Sequence, residues 1–97
     1  MNPDRRTVRL YITGNVQGVG YRIWCVREAE RLGLDDWVRN RRDGSVEAVA
    51  HGATGAVGDF VEACRHGPAG AAVQEVHVSD ADMMEAGPHG FREAPTA

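Results

Sequence analysis

Thr7-Val8-Arg9-Leu10-Tyr11-Ile12-Thr13-Gly14-Asn15-Val16-Gln17-Gly18-Val19-Gly20-Tyr21-Arg22 changes character twice along its length. From Thr7 to Thr13 the residues alternate, Val8, Leu10 and Ile12 to one side and Thr7, Arg9, Tyr11 and Thr13 to the other, the two-residue period of a half-buried strand. Glycines at 14, 18 and 20 then break the pattern. Beyond them Tyr21, Cys25, Ala29 and Leu32 recur at helical spacing opposite Arg27, Glu28, Glu30 and Arg31, which predicts a helix from Tyr21 to Leu32 that Gly33 ends as a C′ glycine.

The rest of the chain completes this strand, loop and helix. Asp36 to Arg41 and Ser45 to His51 read as two strands around Arg42-Asp43-Gly44, where Asp-Gly supplies the positive φ angles of a tight hairpin. Thr54 is placed to cap a second helix reaching about His66, with Val57, Phe60, Val61 and Cys64 as its apolar stripe. Gly67-Pro68-Ala69-Gly70 breaks that helix, Val73 to Ser79 forms a fourth strand, and Gly90 to Glu93 forms a short fifth whose pairing Pro95 stops. The order β-α-β-β-α-β implies an α+β, ferredoxin-like sandwich over residues 1–97: an antiparallel sheet with both helices on one face and a short extra C-terminal strand.

Composition limits what such a domain can do. Ninety-seven residues support one core, and 42% apolar with 26% charged residues is the balance of an ordinary globular protein. A formal charge of −3 argues against a nucleic-acid partner, because that binding neutralises many phosphates with a basic surface. Met1-Asn2-Pro3-Asp4-Arg5-Arg6 is polar and leads into no signal-like apolar run, so a cytoplasmic protein without membrane attachment is expected, and its size makes a monomer the expectation. Cys25 and Cys64, on the apolar sides of the two helices, are expected to be buried reduced thiols.

The glycine loop carries the chemistry. A strand that opens through it into a helix aims unpaired N–H groups and the positive end of the helix dipole at one point, which attracts an anion. Walker A and dinucleotide loops do not fit: the chain has no Lys at all, and Ile23 stands where a dinucleotide fingerprint starting at Gly18 needs its last glycine. Arg22, at the start of the helix, supplies instead a planar cation able to grip two phosphoryl oxygens.

Taken together, Gly14-Asn15-Val16-Gln17-Gly18-Val19-Gly20-Tyr21-Arg22 resembles the acylphosphatase signature Gly-x-Val-Gln-Gly-Val-x-aromatic-Arg at every specified position. Trp37-Val38-Arg39-Asn40, followed by Gly44, Val46 and Gly52, is similar to the second signature of that family, so the resemblance spans nearly the whole chain. It implies hydrolysis of a small-molecule acyl phosphate without metal or other cofactor. Arg22 and the loop of Val16, Gln17, Gly18, Val19, Gly20 and Tyr21 would hold the phosphoryl group, and Asn40 would place the water. Asp36 departs from the glycine usual in the family, and a positive φ there would strain the backbone.

Such a lean site suffices for this reaction. The leaving carboxylate, whose conjugate acid has a pKa of about 4, needs no proton. Phosphoryl transfer through a loose transition state depends mostly on positioning and electrostatics. The chain offers no His/Cys/carboxylate cluster at metal spacing and no Ser-His-Asp arrangement. Asp80-Ala81-Asp82, Asp35-Asp36, His51, His66, His77 and His89 read as turn or surface residues, and Met83-Met84 as packing. An RNA-binding reading fails on Ser45 to His51, which lacks stacking aromatics and basic residues. A non-catalytic phosphate-binding module is the competing reading, and Asn40 beside Arg22 is what favours an enzyme.

Overall fold

The computed structural model describes residues 4–81 and 90–97. Asp82, Met83, Met84 and His89 lie outside the described residues. The chain runs β1 (Arg5–Asn15), α1 (Tyr21–Arg31), β2 (Asp35–Asn40), β3 (Val46–Ala53), α2 (Thr54–His66), β4 (Ala72–Asp80) and β5 (Phe91–Glu93). The sheet order is β4-β1-β3-β2-β5. Val8, Leu10 and Ile12 of β1 are fully buried, with Val38, Val46, Ala48 and Ala50, against Tyr21, Cys25 and Ala29 of α1 and Val57, Phe60 and Cys64 of α2. Alternation along the strands thus decides which face both helices cover. Both cysteines are free and buried.

The ends of the elements have local causes. α1 stops in a Schellman motif: Gly33, at φ 71°, donates to Glu30 O, and Leu34 N–H donates to Ala29 O at 2.8 Å. Thr54 does not cap α2. Ala53 occupies the cap position, and Thr54 is already helical, its N–H donating to Asp4 O at 2.6 Å. In the β2–β3 turn only Gly44 takes a positive φ; Asp43 instead accepts bonds from Ser45 N–H (2.9 Å) and Ser45 Oγ (2.6 Å), which lowers its pKa.

Two expectations about the C-terminal strand are corrected. β5 runs parallel to β2, so the sheet is mixed rather than antiparallel throughout. Strands β4 and β5 occupy opposite edges, and a crossover of this kind is not bound to the antiparallel sense of a hairpin. In the parallel sense Phe91 meets Phe60 edge to face, with ring centroids 5.7 Å apart. Pro95 does not end the pairing either: Ala94 N–H bonds Val38 O at 2.8 Å, Ala97 N–H bonds Asn40 O at 3.0 Å, and Ala97 O accepts from Arg42 N–H at 2.8 Å. On an edge strand a proline costs no ladder bond when its missing N–H would have faced outward.

The helix-free face of the sheet is organised around Glu47, which is 1% exposed and bonded by Arg9, Arg39 (2.9 Å) and Arg41 (2.9 Å). Burial alone would raise the Glu47 pKa, but the Arg39 and Arg41 hydrogen bonds and the charges of Arg39 and Arg9 together bring it below the ordinary value. The Arg39 guanidinium also lies 4.7 Å from the centre of the Trp37 ring.

Asp36 is not a turn or surface residue: it lies within β2, 1% exposed, and is the one non-glycine residue with positive φ among the described residues, at 109°. Its N–H bonds Gly90 O at 3.0 Å, which fixes the backbone in a region where a Cβ is costly. Asp36→Gly is therefore expected to stabilise the fold by at least about 1 kcal/mol, raising Tm by roughly 4–8 °C. Thermal and urea unfolding measure this, and a Tm unchanged or lower would show that the strain is offset by what the carboxylate contributes.

Candidate active site

The site begins where β1 ends. At Gly14 the β1–β4 register shifts, and a Cβ there would collide with the carbonyl of Ala72, so only glycine lets the loop leave the sheet at this point. Gly20, at φ 79° and ψ 19°, turns the chain into α1. No side chain caps that helix, and its first turn holds no acidic residue. Its leading N–H groups and the positive end of its dipole are therefore not offset by a carboxylate of its own first turn.

Three contacts fix the loop. Val16 is 1% exposed and belongs to the core. Tyr21, also 1% exposed, donates its hydroxyl to Cys64 O at 2.6 Å and so pins the start of α1 to α2; burial pushes its phenol pKa far up, which keeps it a proton donor. Gln17 Nε2 donates to Arg41 O (2.7 Å) and Ser45 O (2.9 Å), tying the loop to the turn that follows β2. That tether relates the loop to Asn40, the last residue of β2, whose own carbonyl is held by Ala97.

These constraints frame a cleft of about 100 Å³ lined by Val16, Gly18, Gly20, Tyr21, Arg22, Ile23, Asn40 and Glu93. It is smaller than the roughly 300–1,000 Å³ of pockets that enclose a drug-sized ligand, and so takes only the end of a substrate. Of the sequence-predicted site residues, Arg22, Asn40, Val16, Gly18, Gly20 and Tyr21 meet here. Gln17 and Val19 are not among the lining residues: Gln17 is engaged in its tether, and Val19 packs against the core.

Asn40 Oδ1 is buried and has no hydrogen-bond partner among the described residues. A buried carbonyl oxygen left so costs about 1–3 kcal/mol. Arg22 Nη1 lies 3.5 Å from the Glu93 carboxylate. No local pattern in the sequence points to Glu93, because only the parallel pairing of Val38 with Glu93 brings it here. Asp80, His51 and His66 have other partners: Arg6 at 3.4 Å, Thr7 Oγ1 at 2.6 Å and Glu62 at 3.8 Å. No helix among the described residues is long and apolar enough to cross a membrane.

The family model for acylphosphatase matches residues 8–92. An acylphosphatase of Mesorhizobium japonicum is 51% identical over 92 residues, covering 95% of this chain and 97% of the relative. One of Azorhizobium caulinodans is 52% identical, covering 93% and 96%. The crystal structure of acylphosphatase from Bacillus subtilis superposes with a TM-score of 0.85 at 38% identity, covering 91% of this chain and 97% of that one. The fold is a small ferredoxin-like α+β domain, and these relatives make it a hydrolase. The chain belongs to the acylphosphatase family, whose reaction is the hydrolysis of acyl phosphates.

Proposed function

We propose that Arg22 and the amides from Val16 to Arg22 bind the phosphoryl group of an acyl phosphate while the Asn40 side chain orients the water that attacks phosphorus. One observation carries this reading: Arg22 and Asn40, from different elements, line a single cleft. A water hydrogen-bonded to the Asn40 carboxamide presents its lone pair along the direction in which Asn40 holds it. The P–O bond to the acyl oxygen breaks as the new one forms, the acyl group leaves as a carboxylate, and the water's proton passes to a phosphoryl oxygen or to solvent. Asn40 is too weak a base to take it. The guanidinium and amides stabilise charge on the equatorial oxygens, the main demand of a loose transition state.

The enzyme works as one cytoplasmic domain, monomeric and without a nucleic-acid partner. Its size and net charge of −3 support the monomeric state and the absence of a nucleic-acid partner.

Hydrolysis of benzoyl phosphate in ¹⁸O-labelled water tests the reaction. Loss of ultraviolet absorbance with ¹⁸O appearing in phosphate, and competitive inhibition by inorganic phosphate, are expected. Label in benzoate would place the attack on carbon, and phosphate binding without turnover would leave only a binding module.

A further inference from the structure

Two residues at the mouth of the cleft have no part in that chemistry. Ile23 follows Arg22 in the first turn of α1 and is 51% exposed, the one large hydrophobic side chain so exposed among the described residues. Glu93 ends β5, its carboxylate 3.5 Å from Arg22 Nη1, with side-chain exposures of 41% for Glu93 and 37% for Arg22. Both line the cleft, which is too small to enclose more than the phosphoryl end of a substrate. The acyl group therefore leaves the cleft across a rim that holds one apolar side chain and one carboxylate.

The carboxylate acts differently in the empty and the occupied site. When empty, it neutralises the Arg22 guanidinium and holds it in place. A bound phosphoryl group takes over the guanidinium N–H groups, and Glu93 is left without that partner. Its charge then faces whatever the acyl group carries. A second negative charge on the substrate near Glu93, in a half-exposed site, is repelled by an amount that changes binding several-fold. An uncharged hydrocarbon or aromatic acyl group meets no such repulsion and covers Ile23 instead.

Resting on the reading of Arg22 as the phosphoryl ligand, we propose that Glu93 and Ile23 together select acyl phosphates whose acyl group is uncharged and apolar. Glu93 supplies the rejection of anionic acyl groups, and Ile23 the preference for hydrocarbon over none.

Kinetics on benzoyl phosphate, 4-carboxybenzoyl phosphate and acetyl phosphate test this in the intact protein. Glu93→Gln is expected to lower the kcat/KM ratio of benzoyl over 4-carboxybenzoyl phosphate about three- to tenfold, and to tighten inhibition by inorganic phosphate. Glu93→Asp, which keeps the charge, is expected to keep most of the parental ratio. Ile23→Ser is expected to lower the ratio of benzoyl over acetyl phosphate by about threefold, with the carboxylate discrimination intact. Raising the salt should erode discrimination in the parent more than in Glu93→Gln. An unchanged carboxylate ratio in Glu93→Gln, or weaker phosphate inhibition, would overturn the proposal while benzoyl phosphate turnover left the reaction itself standing. An unchanged benzoyl-to-acetyl ratio in Ile23→Ser would overturn its apolar half. A parent enzyme inactive on benzoyl phosphate would overturn both the proposal and the reading beneath it.

Discussion

Arg22→Gln should lower kcat/KM for acyl phosphates by at least about 10²–10³-fold, the loss typical of removing one positioned donor to a developing oxyanion. Glutamine keeps a planar hydrogen-bonding head but neither the charge nor the second arm of the fork, and both matter to a phosphoryl group spreading charge over several oxygens. The change leaves Glu93 as an unopposed carboxylate at the cleft, which weakens anion binding further. Stability should scarcely move, because the Arg22 side chain is 37% exposed and its ion pair with Glu93 is one of the solvent-screened kind. Steady-state kinetics beside thermal unfolding separates these effects. A fall of less than tenfold in an intact fold would remove Arg22 from the centre of the site.

Asn40→Ala should behave differently. Turnover is expected to fall about 10²–10³-fold, while KM and inhibition by inorganic phosphate stay close to the parental values, because the carboxamide steers water rather than the phosphoryl group. The stability readout runs opposite to that of an ordinary buried polar residue. Asn40 Oδ1 has no partner among the described residues, so its removal takes away a desolvated acceptor rather than a bond, and stability should hold or rise by up to about 1 kcal/mol. The backbone bond from Ala97 N–H to Asn40 O does not depend on the side chain. Parental turnover in Asn40→Ala would remove water placement, and a large loss of phosphate binding would recast Asn40 as a phosphoryl ligand.

Local rules wrote much of this architecture plainly into the sequence. Val8, Leu10 and Ile12 announce a strand face, Tyr21, Cys25 and Ala29 a helix face, and all six are buried as that periodicity requires. Gly33 closes α1 through bonds between near neighbours, and the strain at Asp36 follows from one residue standing where glycine is usual. What escaped depends on contacts between distant parts of the chain. Thr54 has the residue type of a cap, yet it is already helical and its N–H is held by Asp4 O. The sense of β5 is set by a crossover and by Phe91 reaching Phe60, neither of which a short strand of three residues encodes in its own pattern.

The site divides along the same line. Its phosphate loop was legible because glycines, a helix start and Arg22 are consecutive, so the cradle is a local object. Gln17 was assigned to that loop, but its tether to Arg41 O and Ser45 O could not be seen before β2 and β3 were brought alongside. Glu93 had no signal at all, since its approach to Arg22 follows from the unforeseen parallel pairing.

A crystal structure grown with inorganic phosphate addresses the convergence of these groups directly. One phosphate should lie in the cleft against the Arg22 guanidinium and the N–H groups of the loop, with Glu93 turned from Arg22 and the Asn40 carboxamide within reach of a water beside phosphorus. A phosphate bound elsewhere, or one bound here with Asn40 directed away from it, would contradict the account.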